Sequence, residues 1–319
     1  MVKKLVCAFL CAVLLAGCGP AKEASADRRL RIVATIMPEY DWVMNILGDN
    51  PAGAEVTLLQ ETGSDLHSYQ PSAQDILKIS ECDIFICVGG ESDRWTEDAL
   101  RETMNPEMTV IRLLETAGAG ARAEETPEGA EEHEEGHEEG HEEGPEYDEH
   151  IWLSLRSAET LVNSIAEAIS EKDPDYREVY ENNAAVYTEE LRKLDGEYQA
   201  AVSEGTCDVL LFGDRFPFRY LTDDYGLSYY AAFAGCSAET EASFETVLFL
   251  AHKLDELGLK HVMTIDGSDG RIAKTIIENS EDKDRDILTL NSMQGGADRN
   301  ASYLDIMRDN LEVLKNALN

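Results

Sequence analysis

The 319-residue sequence predicts an α/β protein of two lobes, each a parallel sheet flanked by helices, joined by a long rigid helix. Three observations carry this. Strand-like runs alternate with helix-periodic runs up to Trp152, which implies parallel pairing with the helices packed outside. The same alternation resumes after Cys207. Between them, Ser157 to Glu204 contains no strand-like run and little Gly. The length allows two domains of ordinary size, each with its own core.

In chain order, residues 1–28 read as an export signal and tether. Lys3 and Lys4 precede an apolar run too short to span a bilayer comfortably. The run ends Leu15-Ala16-Gly17-Cys18. That string resembles the lipobox of bacterial lipoproteins, which makes Cys18 the expected lipidation site and lipid anchor, with the polar residues to Asp27 as a leash.

Residues 29–153 form the first predicted lobe. RIVATI reads as a buried strand, and PEYDWVMNILGD after it has apolar residues at helical spacing and stops at Gly48. EVTLL is a second strand. After it comes a loop holding His67, then the helix SAQDILKIS with Ser72 as its cap. DIFICV and TVIRL are two more strands, separated by a helical segment around Trp95 to Met104.

Residues 154–205 are linking helices. DYREVYENNAAVYTEELRKLDGEYQAAVSEG keeps apolar residues at three- and four-residue steps for about eight turns at 3.6 residues each, a length that suits a strut. In the second lobe, residues 206–319, DVLLFG, SYYAAF, HVMTI and DILTL read as strands. SFETVLFLAHKLDELG, DGRIAKTIIENS and the terminal ASYLDIMRDNLEVLKNALN read as helices.

The residues 124–149 form an acidic, His-rich loop. In EEHEEGHEEGHEEG, His133, His137 and His141 recur every four residues with no apolar side chain to bury, so ordering the backbone has nothing to offset its entropy cost. His150 steps instead into Ile151 and Trp152, where a folded body fixes it. Imidazole suits zinc and related borderline metals, and clustered carboxylates draw in divalent cations. The pattern reads as a mobile metal-collecting loop beside a fixed metal site. Composition agrees: 64 acidic against 27 basic residues leave a net charge of −37, which repels nucleic acid and is compatible with collecting cations. Ligands of open α/β sheets bind at the carboxyl ends of strands, and both His67 and His150 lie in such loops. There is no Gly-x-Ser-x-Gly elbow, no His-Glu-x-x-His and no Ser/His/Asp constellation, so the chain reads as a binding protein and not an enzyme.

Four cysteines remain after the signal: Cys82, Cys87, Cys207 and Cys236. Cys87 reads as a buried small hydrophobe, and a bridge between Cys207 and Cys236 fits an oxidising compartment.

DLHSYQPSAQD around His67, DEHIWLSL around His150, the acidic loop before the latter, DYGL at Asp224 to Leu227 and the tail SYLDIMRDNLEVLKNAL together resemble the metal-binding substrate-binding lipoproteins of bacterial ABC transporters. The resemblance covers nearly all of Arg31 to Leu318. It implies two Rossmann-like lobes with one metal ion in the interlobe cleft, capture of Zn2+ or less readily Mn2+ outside the membrane, delivery to an ABC permease, and action as a monomer. His67 and His150 match the family's first two ligands. The third, a histidine or glutamate in the family, falls on Arg215, which cannot donate a lone pair. The fourth, commonly a carboxylate, falls on Asn291, a weak neutral donor. Asp214, Glu239, Glu241, Asp266 or a loop histidine are the candidate substitutes. Arg215 would alternatively suit an anionic chelate. The remaining alternatives are a manganese protein of the same class and a surface metal buffer or adhesin in which only the loop matters.

Overall fold

A computed structural model describes residues 29–60, 65–130, 146–237, 241–295 and 301–319. Cys18, the loop histidines His133, His137 and His141, and Glu239 lie outside the described residues.

Two four-stranded parallel sheets organise the chain. In the first, β1 (Arg31–Ala34), β2 (Glu55–Leu58), β3 (Ile84–Cys87) and β4 (Thr109–Arg112) lie in the order β2-β1-β3-β4. Helices α1 (Met37–Leu47), α2 (Ala73–Glu81) and α3 (Trp95–Arg101) connect them, and α4 (Leu113–Ala117) follows β4. The apolar string of β3 is buried at every position, as a central strand covered on both faces requires. At the head of α2, the Ser72 side chain accepts from the Asp75 amide and Asp75 accepts back from the Ser72 amide, which satisfies two otherwise orphaned donors.

Helix α5 (Leu155–Lys172) and helix α6 (Arg177–Glu204) follow. The 28 residues of α6 span about 42 Å at 1.5 Å per residue. Its length lets one helix hold both lobes: Asn183 donates to the Ile46 carbonyl at the end of α1, and Tyr187 to Asp41 within it. The second sheet contains β5 (Val209–Phe216), β6 (Ser228–Ala234), β7 (His261–Ile265) and β8 (Asp286–Leu290), ordered β6-β5-β7-β8. Its helices are α7 (Arg219–Tyr225), α8 (Phe244–Glu256), α9 (Arg271–Asn279) and α10 (Tyr303–Ala317). Further along α6, Tyr198 donates to the Met307 carbonyl of α10 at 2.6 Å.

The core departs from the expectation of one per lobe. A single apolar cluster runs from Ile32 and Ile84 of the first sheet through Leu161, Ile165, Leu191 and Tyr198 of the two linking helices to Phe212 and Met263 of the second. Separate clusters occupy only the outer faces, around Phe85 and Ile79 on one side and Leu250 and Val262 on the other. The physical reason is that the apolar faces of α5 and α6 lie in the same buried cluster as residues of both sheets, which fuses what would be two interiors. Cys82, Cys87, Cys207 and Cys236 are all free thiols, so the bridge expected between Cys207 and Cys236 is absent. Among the described residues no helix is long and apolar enough to cross a membrane.

Candidate metal centre

His67 sits in a one-turn 3-10 helix, Leu66–Ser68, after β2. Asp65 caps the turn by accepting from the His67 amide at 3.0 Å, and the buried Leu66 anchors it while donating its own amide to the Gln294 carbonyl at 3.1 Å. His150 precedes a second 3-10 turn, Ile151–Leu153, whose three apolar side chains are buried. A neck leads into it: Ala123 and Tyr147 pair antiparallel, and the Asp148 amide donates to the Arg122 carbonyl. Trp152 donates Nε1–H to the Ser292 carbonyl at 2.9 Å, and Tyr303 donates to the Trp152 carbonyl at 2.6 Å. The turn bearing His150 is thereby fixed to the second lobe.

These elements bring the two imidazoles together at their nitrogen edges, the rings inclined at 60° and the Nε2 atoms 3.3 Å apart. The outer nitrogens are engaged elsewhere. His150 Nδ1 faces Asp148 Oδ1 at 3.0 Å, and the same oxygen accepts the His150 amide at 2.8 Å. His67 Nδ1 lies 2.7 Å from Ser92 Oγ and 3.3 Å from Glu149 Oε2. Ser92 donates its hydroxyl to Glu149 at 2.5 Å and its amide to the other carboxylate oxygen, so its oxygen is free to accept the His67 proton. Carboxylates behind both rings therefore place the protons on Nδ1 and leave a lone pair on each Nε2.

Two lone pairs aimed at one another repel unless something positive lies between them. Gln294 joins them: its Oε1 is 2.9 Å from His150 Nε2 and 3.2 Å from His67 Nε2, while its Nε2 has no hydrogen-bond partner. With the amide turned over, its NH2 would donate to both rings, so the side chain suits the pair with or without a cation. The 3.3 Å separation also matches the edge of a tetrahedron around zinc, about 3.3 Å for Zn–N bonds near 2.0–2.1 Å.

A sulfur donor comes from just past the end of β6. Cys236 Sγ and the two histidine nitrogens all lie within 4.8 Å of one another. Glu124, at the neck, accepts from both the Cys236 amide and its thiol at 3.3 Å. Burial, then the charges of Glu124, Asp148 and Glu149, push the Cys236 thiol far above its ordinary range, so it stays protonated without a cation. Burial opposes a charged His150, but Asp148, Gln294 and Glu124 outweigh it and raise its pKa. Burial likewise opposes an ionised Glu149, and the hydrogen bonds from His67 and Ser92 overcome it and lower the pKa.

The other candidate ligands stand elsewhere. Arg215 turns its guanidinium to Asp65 at 2.9 Å and to the Ser237 carbonyl at 3.3 Å, which engages two of its five N–H donors. Burial opposes the Asp65 charge, but the Arg215 partnership holds its pKa below the usual carboxylate value. Asn291 spends its Oδ1 on the Met293 amide inside its own turn. Asp266 accepts from the amide and hydroxyl of Ser292, which supports the turn that presents Gln294. Asp214 accepts from the Arg215 amide through Oδ1 and leaves Oδ2 buried without a partner. Glu241 is exposed. A cavity of about 570 Å3 opens beside His67, lined also by Asp65, Arg215, Asp266 and Arg271.

Cys236, Gln294, Ser92 and Glu124 escape sequence reading. The available signal for Cys236 is its position just past a strand's carboxyl end; for Gln294 it is a place three residues beyond Asn291 in a Gly-rich turn.

Comparison with known proteins follows this geometry. The family model described as zinc-uptake complex component A, periplasmic, matches residues 32–317. The chain is 28% identical over 304 residues to the zinc-binding protein AdcA of Streptococcus pyogenes serotype M18, covering 92% of this chain and 57% of AdcA. It thus spans 57% of the length of that relative. It is 30% identical over 313 residues to the high-affinity zinc uptake system protein ZnuA of Bacillus subtilis, covering 97% and 95% of the two chains. The zinc-bound ZnuA-like domain of Streptococcus pneumoniae AdcA superposes with a TM-score of 0.69 at 25% identity, covering 91% of this chain and 99% of that one.

Proposed function

Given that the chain belongs to the family of the periplasmic zinc-uptake component A, we propose that it captures Zn2+ outside the cytoplasmic membrane and delivers it to an ABC permease. The ion is cargo, held between the lobes, and no bond of it is made or broken for good. His67 and His150 are its first two ligands. The chain acts as a monomer without enzymatic turnover, tethered through a lipid at Cys18.

One observation carries the reading: two imidazoles from opposite ends of the first lobe's loop system meet with their Nε2 atoms 3.3 Å apart, each backed by a carboxylate. Nitrogen donors favour zinc over manganese, whose sites lean on oxygen. The acidic loop between the strands of the neck serves as an accessory that raises the local metal concentration.

The test is a zinc titration of the mature chain and of a His67→Ala, His150→Ala double variant. The wild type is expected to bind tightly and the variant to lose most of that affinity; unchanged tight binding in the variant would overturn the assignment. Deleting residues 131–145, which leaves Glu124 and its bonds to Cys236 in place, separates this reading from a passive buffer, since a cleft site keeps high affinity without the loop.

A further inference from the structure

We propose that Cys236 is the third ligand of the cargo ion and that its thiolate makes the site thiophilic, selecting Zn2+ and other sulfur-seeking ions strongly over Mn2+. This rests on the reading of His67 and His150 as the first two ligands.

The placement is built. Gly235 lets the chain before Cys236 pass against the His150 ring: a Cβ there would stand 2.7 Å from the Phe216 carbonyl oxygen and 3.2 Å from His150 Cε1. Only a residue without a side chain brings Cys236 so close. Glu124 then holds both the amide and the thiol of Cys236. The cysteine is in no disulfide, and with His67 and His150 it forms a cluster of ligand atoms within 4.8 Å of one another. A tetrahedral zinc site asks for a sulfur-to-nitrogen edge of about 3.6 Å, so the thiolate needs to come in by no more than about 1.2 Å.

Arg215 explains why the site differs from what the resemblance implied. The arginine at the expected third-ligand position ties the turn of His67, through Asp65, to the turn of Cys236, through the Ser237 carbonyl. It is a positioning residue that joins two ligand-bearing turns across the cleft. Cys236 from the neighbouring strand supplies the donor atom instead, and Gln294 Oε1 completes four. Binding breaks the S–H bond and forms a metal–sulfur bond, with Glu124 as the nearest acceptor on the proton's way to solvent. Soft thiolate with imidazole suits zinc, whereas manganese prefers oxygen.

Cobalt(II) loading of the full mature chain tests this. The wild type is expected to show a near-ultraviolet thiolate-to-cobalt charge-transfer band that Cys236→Ser abolishes while the visible cobalt bands persist. Zinc affinity should drop at least tenfold in Cys236→Ser. Cys236→Asp, which offers oxygen, should shift the preference towards Mn2+. X-ray absorption at the zinc edge of the wild type, which needs no variant, should show one sulfur near 2.3 Å. Visible cobalt bands that vanish in the His67→Ala, His150→Ala variant but come without a thiolate band, or a zinc shell of only nitrogen and oxygen, would overturn the thiolate and leave the histidine site standing. No cobalt or zinc bound at all would remove both.

Discussion

Replacing Asp148 by Asn isolates what a charge behind a ligand does. Asp148 is buried and gives one oxygen to both the amide and Nδ1 of His150. Asn keeps an oxygen of the same size there, so the ring stays oriented while the negative charge goes. Loss of such a partner typically costs 10- to 100-fold in metal affinity, about 1.4–2.8 kcal/mol. The pH dependence carries a second signature. Protons compete with the ion for His150, and its pKa is raised above 6.5 with Asp148 as the largest favourable cause. In the wild type, affinity therefore falls as pH drops through that raised value, and at pH 6 the loss is already at least about fourfold. Without the charge the pKa moves down, so the variant loses less on acidification. Competition against a chromophoric chelator at pH 8 and pH 6 should show a penalty of 10- to 100-fold at the higher pH that shrinks at the lower. Equal affinities at pH 8, or a penalty that grows on acidification, would refute the argument.

Gly235→Ala should destabilise the fold by about 1–3 kcal/mol and weaken zinc binding together, because the new methyl meets a backbone carbonyl that cannot yield and a ligand ring that can; thermal unfolding and zinc titration on the same sample check it, and an unchanged Tm counts against it. Glu39 is fully buried, and burial followed by the charge of Asp93 raises its pKa to about 8 despite three hydrogen bonds from Thr35 and Ile36. A carboxyl raised in the fold destabilises increasingly as pH climbs from its unfolded value towards the folded one, here by at most about 5 kcal/mol at 1.36 kcal/mol per pH unit. Glu39→Gln should match the wild type near pH 5 and exceed it in urea midpoint at pH 8; parallel stabilities across that range would contradict the shift.

The two sheets were legible because parallel strands buried on both faces leave uninterrupted apolar strings, as in DIFICV, and helices leave a period of 3.6. His150 stood out because it steps into the apolar run Ile151–Leu153, and His67 because it lies in a loop that follows a strand's carboxyl end. What the sequence hides is contact between loops far apart in the chain. Nothing local tells that Gly235 slides past His150, or that Arg215 reaches Asp65 across 150 positions. Cys236 resembled half of a disulfide because compartment and count favour pairing, while its actual neighbours are decided by how β6 ends. Asn291 and Gln294 differ for a similar reason: Met293 adopts a left-handed backbone at φ 60°, so the turn consumes the asparagine oxygen and delivers the glutamine.

The uninterrupted interior beneath α5 and α6 has a bearing on how an ion could ever leave. Halves that share one greasy filling cannot swing apart like jaws without tearing it, and they should melt in one calorimetric event. The smaller piece at the rim is the short coil of Leu66–Ser68, held by the buried Leu66, its amide hydrogen bond to Gln294 and the Asp65–Arg215 ion pair, and loosening it would free one ligand while disturbing little of that filling.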